Sequence, residues 1–226
     1  MNELLLLARA PRRGAAAVLA RGSLRTAIGL VFLATAVATA NAARFAADVP
    51  VSSVLFGQGR SPAIATLIES VGRDRAAIIA YLIEQSWTAV VVVTALSPLL
   101  VWVLGATAVR AAARLDGARG PFRPILVLFG YATALARIPS DGAAALLGSG
   151  ADAGAQLARL IGTAGLVWLA IVAWRAIEIH YRLTPRRAFV VLVGAIVVFY
   201  IVPLVLIVAS IVVLVVAAIV LEYVPR

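Results

Sequence analysis

Long apolar runs separated by short polar connections are the dominant pattern of this chain. A helix needs about 20 apolar residues to cross a hydrocarbon core about 30 Å thick, and five runs approach or exceed that length. The pattern therefore predicts an all-α fold, a polytopic membrane bundle of five transmembrane helices. The predicted spans cover about residues 26–43, 87–109, 125–147, 155–174 and 188–221.

The fifth run is too long for one untilted span, and Pro203 interrupts it. One kinked helix would place the C-terminus on the external side of the membrane. Two half-spans would instead return it to the cytoplasm. The distribution of arginines described below favours one kinked span.

Two amphipathic segments lie outside the predicted spans. Residues 1–22 mix leucines with arginines around Pro11, which predicts an interfacial helix with its apolar side in the lipid headgroup layer; a solvated tail is the alternative. Residues 61–86 predict an external helical hairpin. Its second helix starts near Asp74 and runs unbroken into the second span. Residues 23–226 then form one membrane domain.

Arginines alternate with the apolar runs in a way that predicts the topology. They cluster in three segments, and the other connections carry little net positive charge. Because positive loops stay in the cytoplasm, we expect a cytoplasmic N-terminus and an external C-terminus in the cell (inner) membrane. The clusters are Arg9, Arg12, Arg13, Arg21 and Arg25; Arg110, Arg114, Arg119 and Arg123; and Arg175, Arg182, Arg186 and Arg187.

Residues 38–42, Ala-Thr-Ala-Asn-Ala, also resemble a signal-peptidase site after a first apolar run. Cleavage there is an alternative interpretation of the first span. The long arginine-rich leader in front of that run counts against it.

Composition limits the chemistry that the protein can perform. Hydrophobic residues make up 63% of the chain and charged residues 13%, which is typical of a membrane protein. Topology and anionic lipid explain the net charge of +10, so we expect no nucleic-acid partner. The absence of Cys and the single His argue against thiolate, iron–sulfur and histidine-rich metal sites. We therefore expect no metal and no cofactor. The sequence also lacks any recognisable catalytic motif, so we expect no enzyme activity.

The connection from Leu115 to Ala132 carries a recognisable arrangement of glycines and aromatic residues. It resembles the signature of the Yip1 family, which has a glycine-rich turn, a Phe and then Gly-Tyr-Ala. Asp116 departs from the usual glycine, and the family's following proline is delayed to Pro139. The matching positions are Gly117, Gly120, Phe122, Gly130, Tyr131 and Ala132.

The resemblance implies five transmembrane helices with the topology predicted from the arginines. Eukaryotic Yip1 proteins associate with Rab GTPases in vesicle traffic. Their acidic Asp-Leu-x-Gly-Pro motif is absent here, so this role is not carried over. The resemblance indicates a prokaryotic type of family member.

Arg137 lies within the third apolar run and is the best candidate for an intramembrane polar site, since a cation at mid-bilayer costs about 2.5–3.5 kcal/mol. Asp141 follows at i+4 and is a candidate partner, with Glu84 as a third candidate. Both residues of the pair could instead sit near the external interface, with the arginine snorkelling. A polar cavity that includes Tyr131 would indicate transport, whereas a dry bundle would indicate scaffolding.

Glu178 and His180, two apart on a helix, point to different faces. They therefore predict an interfacial ion-pair network and not a metal site. Alanines at four-residue spacing in the first span, and Gly130 with Ala134 in the third, predict close helix packing. The candidate contacts to anionic lipid are Arg12, Arg13, Arg119 and Arg123.

These features favour a non-enzymatic membrane protein that organises lipids or partner proteins through an arginine-rich cytoplasmic face. The expected partners are anionic lipid headgroups and either another membrane protein or a second copy of the chain. The alternative is a small transporter or channel component with a polar site around Arg137 and Asp141.

Overall fold

The computed structural model describes residues 2–48, 73–148, 153–201 and 204–205. Every regular element in these ranges is a helix. The first helix of the hairpin expected at 61–86 and the fifth run beyond 205 lie outside the described residues. The helices are α1 (Asn2–Arg9), α2 (Pro11–Arg21), α3 (Leu24–Asp48), α4 (Arg73–Leu115), α5 (Phe122–Leu147), α6 (Ala153–His180) and α7 (185–201).

Three of these helices contain segments long and apolar enough to cross a membrane: Leu24–Ala47, Trp87–Leu115 and Ala153–His180. The prediction of an all-α membrane protein is therefore confirmed. Helix α5 has 26 residues, but Arg137 and Asp141 lower its hydropathy. Five spans remain an expectation from the sequence.

Helix α5 is the centre of the bundle. Ten consecutive residues from Ile125 to Ala134 are buried, except the partly buried Leu126, and α3, α4 and α6 all pack against it. Helix α3 presents a stripe of small, fully buried side chains that allow close approach of the helices. The stripe consists of Ala27, Val31, Ala34, Ala38 and Ala42.

Helix α4 runs unbroken for 43 residues from Arg73, as the sequence predicts for the segment that enters the second span. Pro98 lies inside it and has no N–H to donate to the carbonyl of Thr94. The hydroxyl of Ser97 donates to that carbonyl at 2.8 Å instead. A side-chain hydrogen bond therefore satisfies the acceptor that the proline leaves open, as membrane helices require.

The N-terminal segment differs from the single interfacial helix expected over residues 1–22. It forms two helices, because Pro11 starts α2 and Ala10 adopts a non-helical conformation with φ −140° and ψ 80°. Leu7 and Val18 are buried against the bundle. A Cβ at Gly14 would lie 2.2 Å from the Leu7 Cα, so glycine permits the tight crossing of α1 and α2. Part of the apolar side therefore packs on protein.

Candidate functional site

The arginine-rich end of the bundle comprises residues 2–25, 110–124 and 175–187. It holds thirteen of the twenty arginines but three of the ten acidic residues, Glu3, Asp116 and Glu178. The remaining seven arginines are balanced by seven acidic residues elsewhere in the chain. Eleven of the thirteen arginines are exposed. The net charge of the whole protein therefore belongs to this end.

Ion pairs join the separate segments of the arginine-rich end. Glu178 of α6 accepts a hydrogen bond from Arg175 at 2.8 Å and lies 3.2 Å from Arg12 of α2. Arg187 of α7 lies 2.9 Å from the carboxylate of Asp116 and also donates to its backbone carbonyl. The predicted ion pairs of Glu178 are confirmed, whereas His180 bonds to the carbonyl of Pro121 and forms no ion pair among the described residues. The pairs of Arg12 and Arg187 hold separate segments together.

The two motif glycines of the turn between α4 and α5 are required for different reasons. Gly117 has φ +81°, a left-handed conformation that strains any residue with a Cβ. Gly120 packs against two rings, since a Cβ there would lie 2.8 Å from His180 Nε2 and 3.1 Å from Tyr181 Cε1. The His180 Nε2 is 3.0 Å from the carbonyl of Pro121. Because a carbonyl only accepts, this nitrogen donates.

The motif residue Phe122 begins α5 and lies under the guanidinium of Arg110, whose Cζ is 4.9 Å from the ring centroid. Such cation–π contacts contribute about 0.5–2 kcal/mol, depending on how far the pair is removed from water. This motif residue thus provides a contact between α4 and α5.

A pocket of about 410 Å³ opens at this turn. Beside it, the ring edge of Tyr181 contacts Gly120. The Tyr181 hydroxyl and the Arg110 Nε are buried and have no hydrogen-bond partner in the described structure; leaving such a group unsatisfied costs about 1–3 kcal/mol. Burial raises the pKa of Tyr181, and Arg110 and Arg114 oppose this effect. The hydroxyl therefore keeps its proton and remains a donor.

A second polar cluster lies in the half of the bundle away from the arginine-rich end. The Arg137 Nε is 3.1 Å from the Asp141 carboxylate, in an ion pair whose atoms are not aligned for a hydrogen bond. The guanidinium also donates to the Ser97 hydroxyl of α4. Asp141 is 4% exposed and accepts a hydrogen bond from Asn41 of α3. We call these four residues the polar cluster.

Comparison with models of protein families gives a match to the Yip1 domain over residues 5–207. The chain belongs to the Yip1 family. The matched range includes both the glycine turn and the polar cluster. Searches of curated proteins and of solved structures give no significant match.

The Gly-Tyr-Ala segment of this Yip1 domain is entirely interior. A Cβ at Gly130 would lie 2.8 Å from the Ala27 Cβ and 3.2 Å from the Trp102 Nε1. That indole nitrogen donates to the carbonyl of Leu126 at 2.7 Å. Gly130 therefore permits the close packing of α3 and α4 on α5, as its spacing with Ala134 predicts.

An apolar cavity of about 290 Å³ in the Yip1 domain lies apart from the polar cluster. It is bounded by Gly105 of α4, Phe129 of α5, Leu169 of α6 and Leu192 of α7. Its lining is suited to hydrocarbon and not to a hydrated solute.

Among the described residues, one candidate is separated from the polar cluster by the fold, and two members of that cluster were missed. Tyr131 is buried but makes no described contact with the polar cluster, and the side chain of Glu84 lies outside the described residues. Asn41 and Ser97 were not anticipated. A signal for each exists, because Asn41 continues the small-residue stripe of α3 and Ser97 precedes a proline in the middle of a span.

Proposed function

We propose that this membrane protein of the Yip1 family is non-enzymatic and organises anionic lipids or partner proteins through its arginine-rich end. The observation that carries the proposal is the concentration of the entire net charge at that end, with eleven exposed arginines. Each juxtamembrane arginine contributes about 1 kcal/mol of attraction to an anionic surface. Arg175 and Arg187 are engaged in ion pairs within the bundle. The side chain of Arg12 is 70% exposed in spite of its pair with Glu178, so it remains accessible to lipids or an acidic partner, as do the exposed arginines that have no ion pair among the described residues.

The proposal includes five membrane spans in the inner membrane, with the arginine-rich end in the cytoplasm and the C-terminus outside. The three apolar spans support it, together with α5 at their centre and the apolar run 188–221. Helices α1 and α2 then lie at the cytoplasmic interface, where the exposed Leu5 and Leu6 face the headgroup layer.

The topology predicts that reporters fused at Gly120 and after Arg226 lie on opposite sides of the membrane. The reason is that the thirteen clustered arginines remain cytoplasmic while an odd number of spans carries the C-terminus across. Paired cytoplasmic and periplasmic reporter activities measure this. Cytoplasmic activity from both fusions would show that 188–221 is a hairpin and would contradict the five-span topology.

Replacing Arg12, Arg13, Arg119 and Arg123 with Gln should weaken the affinity for anionic lipid by well over tenfold, since about 1 kcal/mol of attraction is lost for each charge and about 1.4 kcal/mol is a factor of ten. The measurement is the amount of phosphatidylglycerol that remains with the purified protein. The matched control is a quadruple Arg→Gln variant that removes the same charge outside the arginine-rich end, at Arg60, Arg73, Arg75 and Arg226. Equal retention by the two quadruple variants would contradict the proposal.

A second candidate function is transport, and the polar cluster is the observation that favours it. Arg137 is not directed to the headgroups alone, because its guanidinium donates to Ser97 of α4 and pairs with Asp141. Asp141 in turn accepts a hydrogen bond from Asn41 of α3. A charged pair in the bundle interior is typical of ion and proton pathways. The same arrangement also suits a structural pair.

A further inference from the structure

We propose that the turn between α4 and α5 is a binding site for a phosphate group, held by Arg114, Arg119 and the hydroxyl of Tyr181. The site rests on the function proposed above, because a lipid headgroup is the anion that an arginine-rich membrane surface meets. The site adds a defined position and a directed hydrogen bond to an attraction that otherwise depends on charge alone.

The pocket at the turn has the charge and the space for a phosphate. Its described lining consists of two arginines, two glycines and Ala118, so small residues leave the backbone open beside the guanidiniums. Arginine donors match the geometry of phosphate oxygens. The neighbouring carboxylate of Asp116 would repel an anion. It lies 2.9 Å from Arg187, and the positive charge of this arginine offsets the repulsion.

The hydroxyl of Tyr181 provides an independent indication of a ligand. Tyr181 is 9% exposed, and its hydroxyl and the Arg110 Nε have no hydrogen-bond partner among the residues that the structure describes. Buried polar groups in proteins almost always have a partner, and a phosphate oxygen is an acceptor for both. To reach them, the ligand must displace side chains at the turn. Arg114 and Arg119 are exposed and can change rotamer.

The placement of Tyr181 depends on the motif residues. Its ring contacts Gly120, where a Cβ would lie 3.1 Å from Cε1, and the neighbouring His180 donates to Pro121. The glycine thus lets the turn lie directly against the ring that carries the hydroxyl. On this proposal, the turn brings the arginines and the hydroxyl to one place.

The test compares Tyr181→Phe with Tyr200→Phe in the full-length protein in an uncharged detergent. Neither substitution changes a charge, so diffuse attraction is preserved. Tyr200 is 69% exposed on α7 and provides the same chemical change elsewhere. Short-chain phosphatidylglycerol, short-chain phosphatidylcholine and inorganic phosphate are titrated separately, and the shift in the thermal unfolding midpoint gives each affinity.

We expect Tyr181→Phe to weaken phosphatidylglycerol binding about tenfold, which corresponds to a hydrogen bond to a charged group, and Tyr200→Phe to leave it unchanged. Without lipid, Tyr181→Phe should be as stable as the parent or more so, because it removes an unsatisfied hydroxyl. A purely structural tyrosine would instead lower stability. If inorganic phosphate competes with phosphatidylglycerol for binding, the site also accepts free phosphate. If it does not compete, the site is specific for the lipid headgroup.

Unchanged phosphatidylglycerol affinity in Tyr181→Phe would overturn the site. If the parent protein still preferred phosphatidylglycerol to phosphatidylcholine, the broader lipid-organising function would stand. Equal affinity of the parent for both lipids would contradict the lipid-organising function as well.

Discussion

Gly130→Leu is expected to prevent the bundle from assembling. A Cβ at this position already lies 2.8 Å from the Ala27 Cβ, and leucine adds three further carbons between α3 and α5. Overpacking a dense core by a few methylene groups costs about 1–3 kcal/mol. Here the cost should be at the upper end or beyond it, because the contacts on α3 include the backbone as well as a Cβ.

The matched control is Gly29→Leu. Gly29 lies on α3, and a Cβ there would have no atom of the described residues within 4 Å, so we expect wild-type folding. Size-exclusion chromatography and thermal unfolding in detergent measure both variants. A folded Gly130→Leu protein with the stability of the Gly29→Leu protein would contradict the packing described for α3 and α5.

A smaller pair of changes tests the same contact more finely. Gly130→Ala should lower the free energy of unfolding by about 2 kcal/mol, and adding Ala27→Gly should recover part of that loss by removing the opposing Cβ. Contacting positions are expected to show such coupling. Additive effects of the two substitutions would show that these two side chains do not limit the helix approach.

The sequence was sufficient for the class of fold, because hydrophobic length and arginine clustering are local properties. It also identified Gly130 as a packing position, since small residues at four-residue spacing mark one face of a helix. The turn glycines Gly117 and Gly120 were recognisable because they match the Yip1 signature. The two positions require glycine for different reasons. Gly117 needs it for its backbone conformation and Gly120 for its contacts with two rings, and the sequence alone does not distinguish these requirements.

Contacts between distant segments could not be predicted in the same way. Arg12 meets Glu178 and Arg187 meets Asp116 only after the helices are arranged around α5. Likewise, Asn41 and Ser97 become partners of the Asp141–Arg137 pair through tertiary packing. The start of a new helix at Pro11 follows from the local sequence. The burial of Leu7 against the bundle does not, because it depends on tertiary packing. An amphipathic segment can face either lipid or protein with the same pattern.

Arg137→Gln is expected to destabilise the protein by about 3 kcal/mol, because it leaves the carboxylate of Asp141 buried without its cation. The Asp141 side chain is 5% exposed and the Arg137 side chain 21%. The carboxylate is therefore the less hydrated of the two charged groups, and its burial without a cation accounts for most of the loss in stability. The sequence alone predicts that a scaffold tolerates Arg137→Gln. The buried pair changes this expectation, because either role now requires the pair for stability.

The double variant Arg137→Gln with Asp141→Asn therefore separates structure from transport. It removes both charges and leaves amides that can bond to Ser97 and Asn41, and neutral replacement of a buried pair is often tolerated. We expect most of the stability to return, as measured by thermal unfolding of the two single variants and the double variant. A double variant as unstable as Arg137→Gln alone would show that the two charges are not energetically paired.

With the double variant folded, its activity decides between the two functions. If the polar cluster serves an ion pathway, the parent protein should conduct protons or cations in liposomes loaded with a pH- or potassium-sensitive dye, and the double variant should not. If the cluster only joins α3, α4 and α5, the parent should show no flux above empty liposomes. The double variant should then retain phosphatidylglycerol as the parent does, because the arginine-rich end is unaltered. Flux that persists in the double variant would exclude the polar cluster as the pathway, since no charge would remain there to interact with the ion.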